Sequence, residues 1–206
     1  LDFGLVAWYP FDGNASDMSG NGNHGTVHGA TLGIDRHGEV DKAFNFDGLG
    51  NYIRISNPID SFQKEFTISA WLITNAGGGS VFSKYSYQSG QGNGFTLGIT
   101  DELGSGAGFN GSTIHLTTMA NDSWQFSAHP SYTLTPNVFT HVVAVYDQGT
   151  ASLYVDDLLQ SSKSYSYQGN ILDNSYDILI GTYFKNSGSE IASDETSRGF
   201  DGVLDD

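Results

Sequence analysis

The chain has 206 residues and carries 23 acidic against 8 basic side chains, a formal net charge of -15. A field of that sign repels phosphate backbones and anionic headgroups, so nucleic acid and membrane surfaces are excluded as expected partners. There is no cysteine, hence no disulfide and no thiolate metal site, and no apolar run approaches the roughly 18 residues that a membrane span requires. With 13 Phe, 11 Tyr and 3 Trp against 2 Met, the apolar volume lies in side chains that suit pleated surfaces.

Short apolar or alternating runs separated by Gly, Asn, Asp and Ser predict antiparallel strands at 5–10, 43–46, 52–55, 66–72, 80–83, 95–99, 114–118, 124–127, 141–146, 151–155 and 178–181. In "FTISAWLI" Phe66, Ile68, Ala70 and Leu72 alternate with Thr67, Ser69 and Trp71, so one face is apolar and the other carries a large aromatic. "HVVAVYD" and "GTASLYVDD" predict a hairpin turning at Asp147–Thr150. No window of 12 residues keeps a 3.6-residue period, and "DRHGEVDKAF" holds at most one helical turn. The result is a single all-β, two-sheet domain over residues 1–206.

The loop "FDGNASDMSGNGNHG" at 11–25 is the densest polar stretch. Its Gly20-x-Gly22-x-x-Gly25 lacks the flanking strand and helix of a dinucleotide site. Asp12, Asn14 and Ser16 match the first spacings of an EF-hand, but Asp17 and Asn23 stand where Gly and a bidentate Glu are required. A looser calcium site and a turn whose Asn and Asp bond their own backbone both remain open. Phe-Asp-Gly recurs at 11–13, 46–48 and 200–202, at strand ends near both termini, where a two-sheet fold can bring the copies together.

Catalytic constellations are missing. No Gly-x-Ser-x-Gly elbow occurs, and Glu39, Glu65, Glu102, Glu190 and Glu195 form no alternating carboxylate pair for glycoside hydrolysis. The histidines are scattered and read as structural. Rings beside polar loops remain: Tyr85, Tyr87, Trp124, Tyr132, Tyr165, Tyr167 and Tyr183. Flat rings near Asn, Gln and Asp suit sugars, and at most two or three of these seven are expected to touch a ligand, the rest capping the core at strand ends, with Tyr85, Tyr87, Trp124, Tyr132 and Tyr183 foremost as candidates.

In order and spacing, "LVAWYPFDGNASDMSGNGNHGTVHGATL", "GEVDKAFNFDGLGNYIRI", "FTISAWL", "FTHVVAVYD…ASLYVDD" and "ILIGTYF…FDGVLDD" resemble the laminin G-like domains of the concanavalin A-like superfamily. The resemblance implies an antiparallel jelly-roll sandwich used as a binding module in secreted or surface proteins, often with calcium. It implies calcium ligands at Asp12, Asn14, Asp17, Asp47, Asp205 and Asp206. Two departures stand out: Asp157 replaces the usual turn glycine, which predicts a longer or different turn, and relatives continue past Asp206 with an apolar strand. That last strand is therefore expected outside residues 1–206 or supplied otherwise. The expected function is non-catalytic carbohydrate recognition with calcium, extracellular and within a larger, bacterial protein. The alternative is a spacer module of a large adhesin, stiffened by calcium; an enzyme ranks third.

Overall fold

A computed structural model describes residues 4–56, 65–75, 79–88, 91–100, 113–120, 123–128, 133–164, 176–185, 190–191 and 199–206. Among them there is no helix; every regular element is a strand.

The strands are β1 (Thr26–His28), β2 (Thr31–Ile34), β3 (Val40–Asp47), β4 (Tyr52–Ile55), β5 (Glu65–Thr74), β6 (Gly79–Gln88), β7 (Gln91–Thr100) and β8 (Thr113–Ala120). They continue as β9 (Ser123–Ala128), β10 (Thr140–Asp147), β11 (Thr150–Val155), β12 (Leu158–Ser164), β13 (Ile178–Ile180), β14 (Phe184–Lys185), β15 (Glu190–Ile191) and β16 (Asp201–Asp205). One sheet runs β1-β4-β13-β6-β7-β8-β9, with β14 and β15 joined to it beside β6; the other runs β12-β11-β10-β5-β16-β3-β2. Apart from the short parallel β14–β6 contact, the named pairs are antiparallel, giving a jelly-roll sandwich.

Alternation decides what each strand buries. On β10, Val142, Ala144 and Tyr146 are 0–1% exposed while Asp147 is exposed. On β7, Phe95, Leu97 and Ile99 are 0–2% exposed. The two sets meet between the sheets, where Phe66 of β5 stacks on Phe95 at 4.4 Å and on Tyr146 at 5.6 Å. Each such ring contributes about 1.5–3 kcal/mol by leaving water.

The β10–β11 hairpin turns as the sequence predicts, with Asp147 opposite Thr150 and positive φ at Gln148 (41°) and Gly149 (95°). The next turn corrects an expectation. Val155 pairs with Leu158, so Asp156 and Asp157 form a two-residue turn with φ of 48° and 65°. Aspartate tolerates the left-handed region, so the turn needs neither glycine nor extra length.

The segment 5–10, read as a strand, joins neither sheet ladder. It is extended, but its lateral partners are mostly side chains of the next loop: Asn23 Nδ2 and Asn21 Nδ2 donate to the Val6 carbonyl at 2.8 and 3.1 Å. Two of the three Phe-Asp-Gly copies do converge. Asp201 pairs with Asp47, Phe200 lies 5.9 Å from Phe46, and the Gly48 amide donates to the Phe200 carbonyl at 3.0 Å.

Candidate functional site

The loop 11–25 is organised by Asp17. Its carboxylate is 4% exposed and accepts three backbone N–H groups: Trp8 at 3.0 Å, Ser19 at 2.8 Å and Asn23 at 2.9 Å. Burial pushes its pKa up, but hydrogen bonds from Ser19, Trp8 and Asn23 outweigh burial and hold the carboxyl below its ordinary range. The Asp17 N–H in turn donates to His24 Nδ1 at 3.1 Å. Tyr9 donates its hydroxyl to the Asn23 carbonyl at 2.6 Å, and burial together with the Asp17 charge raises its pKa. Asn14 makes a local turn, accepting from the Ser16 amide at 2.8 Å, and exposed Asp12 pairs with Lys42 at 2.9 Å.

The C-terminal carboxylates form a second cluster around Arg36. Asp205, 3% exposed, meets the guanidinium at 2.6 Å, Asp206 meets it at 3.2 Å, and Asp206 also accepts the Trp8 indole N–H at 2.6 Å. Arg36 lies 5.3 Å over the Trp71 ring, Trp71 stacks on His141 at 4.9 Å, and His141 Nε2 sits 2.9 Å from the Ser69 hydroxyl. The sequence reading did not single out Arg36, Trp8 or His141 for this cluster. The available signal is the scarcity of cations, 8 against 23 acids, which makes each one a candidate anchor.

The six residues expected to hold calcium are not gathered around one point. Asp12 sits at the start of β3 beside Lys42, whereas Asp47 closes β3, accepting from the Leu49 amide at 2.8 Å. Five residues of strand separate those ends by about 16 Å, several times a calcium–oxygen distance. Asp17 is committed to backbone amides, and Asp205 and Asp206 are committed to Arg36. Among the described residues no group of three His, Asp or Glu side chains converges. The set does not fit a single shared ion.

Of the aromatic rim, Tyr85 and Tyr183 are in view. Tyr85, expected on an exposed rim, is 5% exposed; its ring lies 6.1 Å from that of half-buried Tyr183. Tyr132, Tyr165 and Tyr167, and the side chains of Tyr87 and Trp124, lie outside the described residues. On β7 and β8 the residues facing away from Phe95, Leu97, Ile114 and Leu116 are Thr96, Gly98, His115 and Thr117, with Thr96 opposite both Ser83 and Thr117. Ser80 and Thr96 hydroxyls lie 2.7 Å apart, and Ser83 donates to the Thr182 carbonyl at 2.8 Å. The tyrosine pair therefore stands beside hydroxyl-bearing residues on the side of the β6–β7–β8 sheet turned away from the core, of which Thr96 is part-exposed and Ser80, Ser83 and Thr117 are buried.

The sequence from 46 to 206 matches the Laminin_G_3 family model, described as the concanavalin A-like lectin/glucanases superfamily. The chain belongs to that family. Solved structures share the laminin G-like fold at low identity. Domain 4 of a GH43 extracellular arabinanase from Geobacillus stearothermophilus, solved with arabinotriose, superposes with a TM-score of 0.68 at 17% identity, covering 98% of this chain and 89% of that one. The CBM40 of a Ruminococcus gnavus IT-sialidase, bound to α2,3 sialyllactose, gives 0.58 at 14% identity, covering 79% and 87%. Domains LG4-5 of the mouse laminin α1 chain give 0.57 at 14% identity, covering 79% and 39%. No curated protein sequence matches the laminin G-like chain.

Proposed function

We propose that the chain is a non-catalytic carbohydrate-recognition module of an extracellular, multidomain bacterial protein. The observation that carries the reading is the half-buried ring of Tyr183, 6.1 Å from the buried ring of Tyr85, on a sheet face that also carries the part-exposed hydroxyl of Thr96. A sugar offers an apolar C–H face to a ring and hydroxyls to neighbouring polar groups, which is the complement of such a surface. Two structurally similar domains were solved with arabinotriose and sialyllactose, which supports the class of ligand and leaves the sugar to be determined.

Glycan-array screening followed by calorimetry is the test. Binding of at least one glycan is expected, with Tyr183→Ala weakening it about tenfold or more, as for a ring at the centre of a contact. Tyr183 is half-buried, so its removal leaves the core cluster in place. A flat array at millimolar sugar overturns the reading in favour of a spacer or protein-binding module.

Calcium enters the proposal as a stabiliser of the acidic loop near Asp12 and Asn14, separate from the sugar. An ion present at 100 times its dissociation constant adds about 2.7 kcal/mol, or about 5–10 °C in Tm for a chain of this size. That rise is expected on adding calcium after chelation, and its loss in Asp12→Asn. An unchanged Tm removes calcium and leaves the sugar reading standing.

A further inference from the structure

Tyr183 stands on one sheet, and the outer face of the other sheet carries a separate half-buried ring. On β11, Ala151, Leu153 and Val155 are 0–1% exposed, so the alternate residues Ser152 and Tyr154 look outward. Their β10 neighbours on that side are Val145 and Val143, and their β12 neighbours are Ser162 and Leu159. Along this stretch β10 is paired with both β5 and β11, and β11 with both β10 and β12.

Tyr154 makes no aromatic contact, and its hydroxyl no hydrogen bond, among the described residues. Trp71, on the same face, is already taken: Arg36 lies 5.3 Å from its ring centre and His141 stacks on it at 4.9 Å. A β-bulge falls beside Tyr154. Leu153 pairs with Ser161 and Tyr154 with Leu159, so Leu159 and Gln160 together oppose the tyrosine. Leu159 is 56% exposed, and the half-buried Gln160 side-chain amide has no hydrogen bond among the described residues. The Ser152 and Ser162 hydroxyls lie 2.9 Å apart. One donates to the other, and the accepting hydroxyl keeps its own hydrogen for a further partner.

Ring, amide and hydroxyl pair thus border the half-buried Val143 and Val145. Carboxylates close both ends: exposed Asp147, opposite Glu65, at one, and the exposed turn Asp156–Asp157 at the other. Three strands and six residues of length make a surface of about 10 by 20 Å. Roughly 200 Å² is about a quarter of the 800 Å² per partner that a stable protein interface buries, so a small ligand fits better than a protein. The flanking carboxylates turn away phosphate, sulfate and carboxylate groups.

The geometry points to a second glycan site, for a short neutral oligosaccharide. Tyr154 stacks on the apolar C–H face of one sugar ring, Gln160 and the Ser152–Ser162 pair bond its hydroxyls, and Asp147 and Asp157 accept from hydroxyls at the two ends. One consequence rests on the Tyr183 reading as well: with both sites filled, the module holds two glycan chains on opposite faces of the sandwich.

The probes are cellohexaose, xylohexaose and mannohexaose, with the hexamer of galacturonic acid as the anionic control. Each is titrated to millimolar concentration into the isotope-labelled chain and followed by amide chemical shifts. At least one neutral hexaose is expected to move the amides of Val143, Val145, Ser152 and Tyr154 saturably, and the galacturonate hexamer to leave them in place. Tyr154→Ala, outside the core cluster, weakens this binding about tenfold or more. Gln160→Ala weakens it several-fold, and Tyr183→Ala leaves it unchanged. The proposal is overturned if no neutral hexaose moves these amides, if Tyr154→Ala and Gln160→Ala bind like the wild type, or if Tyr183→Ala abolishes the shifts. Movement of the same amides with protein concentration, in the absence of sugar, overturns it in favour of a second copy. Shifts at 143–154 with none around Thr96 and Tyr183 uphold this site and count against the other.

Discussion

Asp17→Ala is expected to destabilise the fold by about 3 kcal/mol or more, measured by denaturant unfolding. The substitution leaves the amides of Trp8, Ser19 and Asn23 without the carboxylate they share, in a place where Asp17 is 4% exposed. Each orphaned buried donor costs about 1–3 kcal/mol, and bonds to a charged acceptor are the stronger kind. Asp17→Asn, with its oxygen in the Oδ1 position, keeps the Trp8 and Ser19 amides but loses the charge and turns its NH2 toward the Asn23 amide, so it falls between wild type and alanine. The pH dependence has a definite sign. The folded pKa of Asp17 is depressed, so its contribution is full above the unfolded value of about 4 and disappears as pH falls through the folded one. Acid unfolding of the wild type should therefore be steeper than that of Asp17→Ala below about pH 4. A loss under 1 kcal/mol at neutral pH, or identical acid limbs, would mean that water replaces the carboxylate and that the loop is held elsewhere.

This carboxylate also shows what the sequence discloses and what it hides. The density of Asp, Asn and Gly at 11–25 correctly marks a loop that bonds itself, because those side chains reach their own backbone. Which acid sits at the centre is not encoded locally: Trp8 and Asn23 reach Asp17 from 9 residues before and 6 after. Strands with strong alternation, such as Thr140–Asp147 and Glu65–Thr74, were legible because one buried face fixes the register. Leu5–Pro10 misled for the same reason, since alternation reports burial and not which groups lie to either side. Thr31–Ile34, Leu158–Ser164 and Asp201–Asp205 went unread because they are short, polar or glycine-bearing, and pairing with longer neighbours makes them strands. Tyr85 was misplaced because its polar sequence neighbours suggested a loop, whereas it lies within β6 with its ring buried.

Arg36→Ala carries the other large expected effect, about 3–5 kcal/mol, since removing one member of a buried pair strands the other charge. Asp205 is 3% exposed and holds Arg36 at 2.6 Å, so among the described residues its carboxylate keeps only the longer, 3.3 Å contact from the residue-36 amide. The guanidinium also spans to Asp206 and covers the Trp71 ring, adding about 0.5–1 kcal/mol from the cation–π contact. Because β16 enters its sheet between β5 and β3, loosening Asp205 loosens the strand that joins the two halves of that sheet. Arg36→Lys should fall between wild type and alanine, because a point charge cannot serve Asp205 and Asp206 as the planar fork does. The decisive comparison is the double variant Arg36→Met with Asp205→Leu, which removes both charges and is expected to regain most of the loss. If the double variant is no more stable than Arg36→Ala alone, the cost lies in packing around Trp71 and not in a stranded carboxylate; melting curves of the four proteins at neutral pH separate the two.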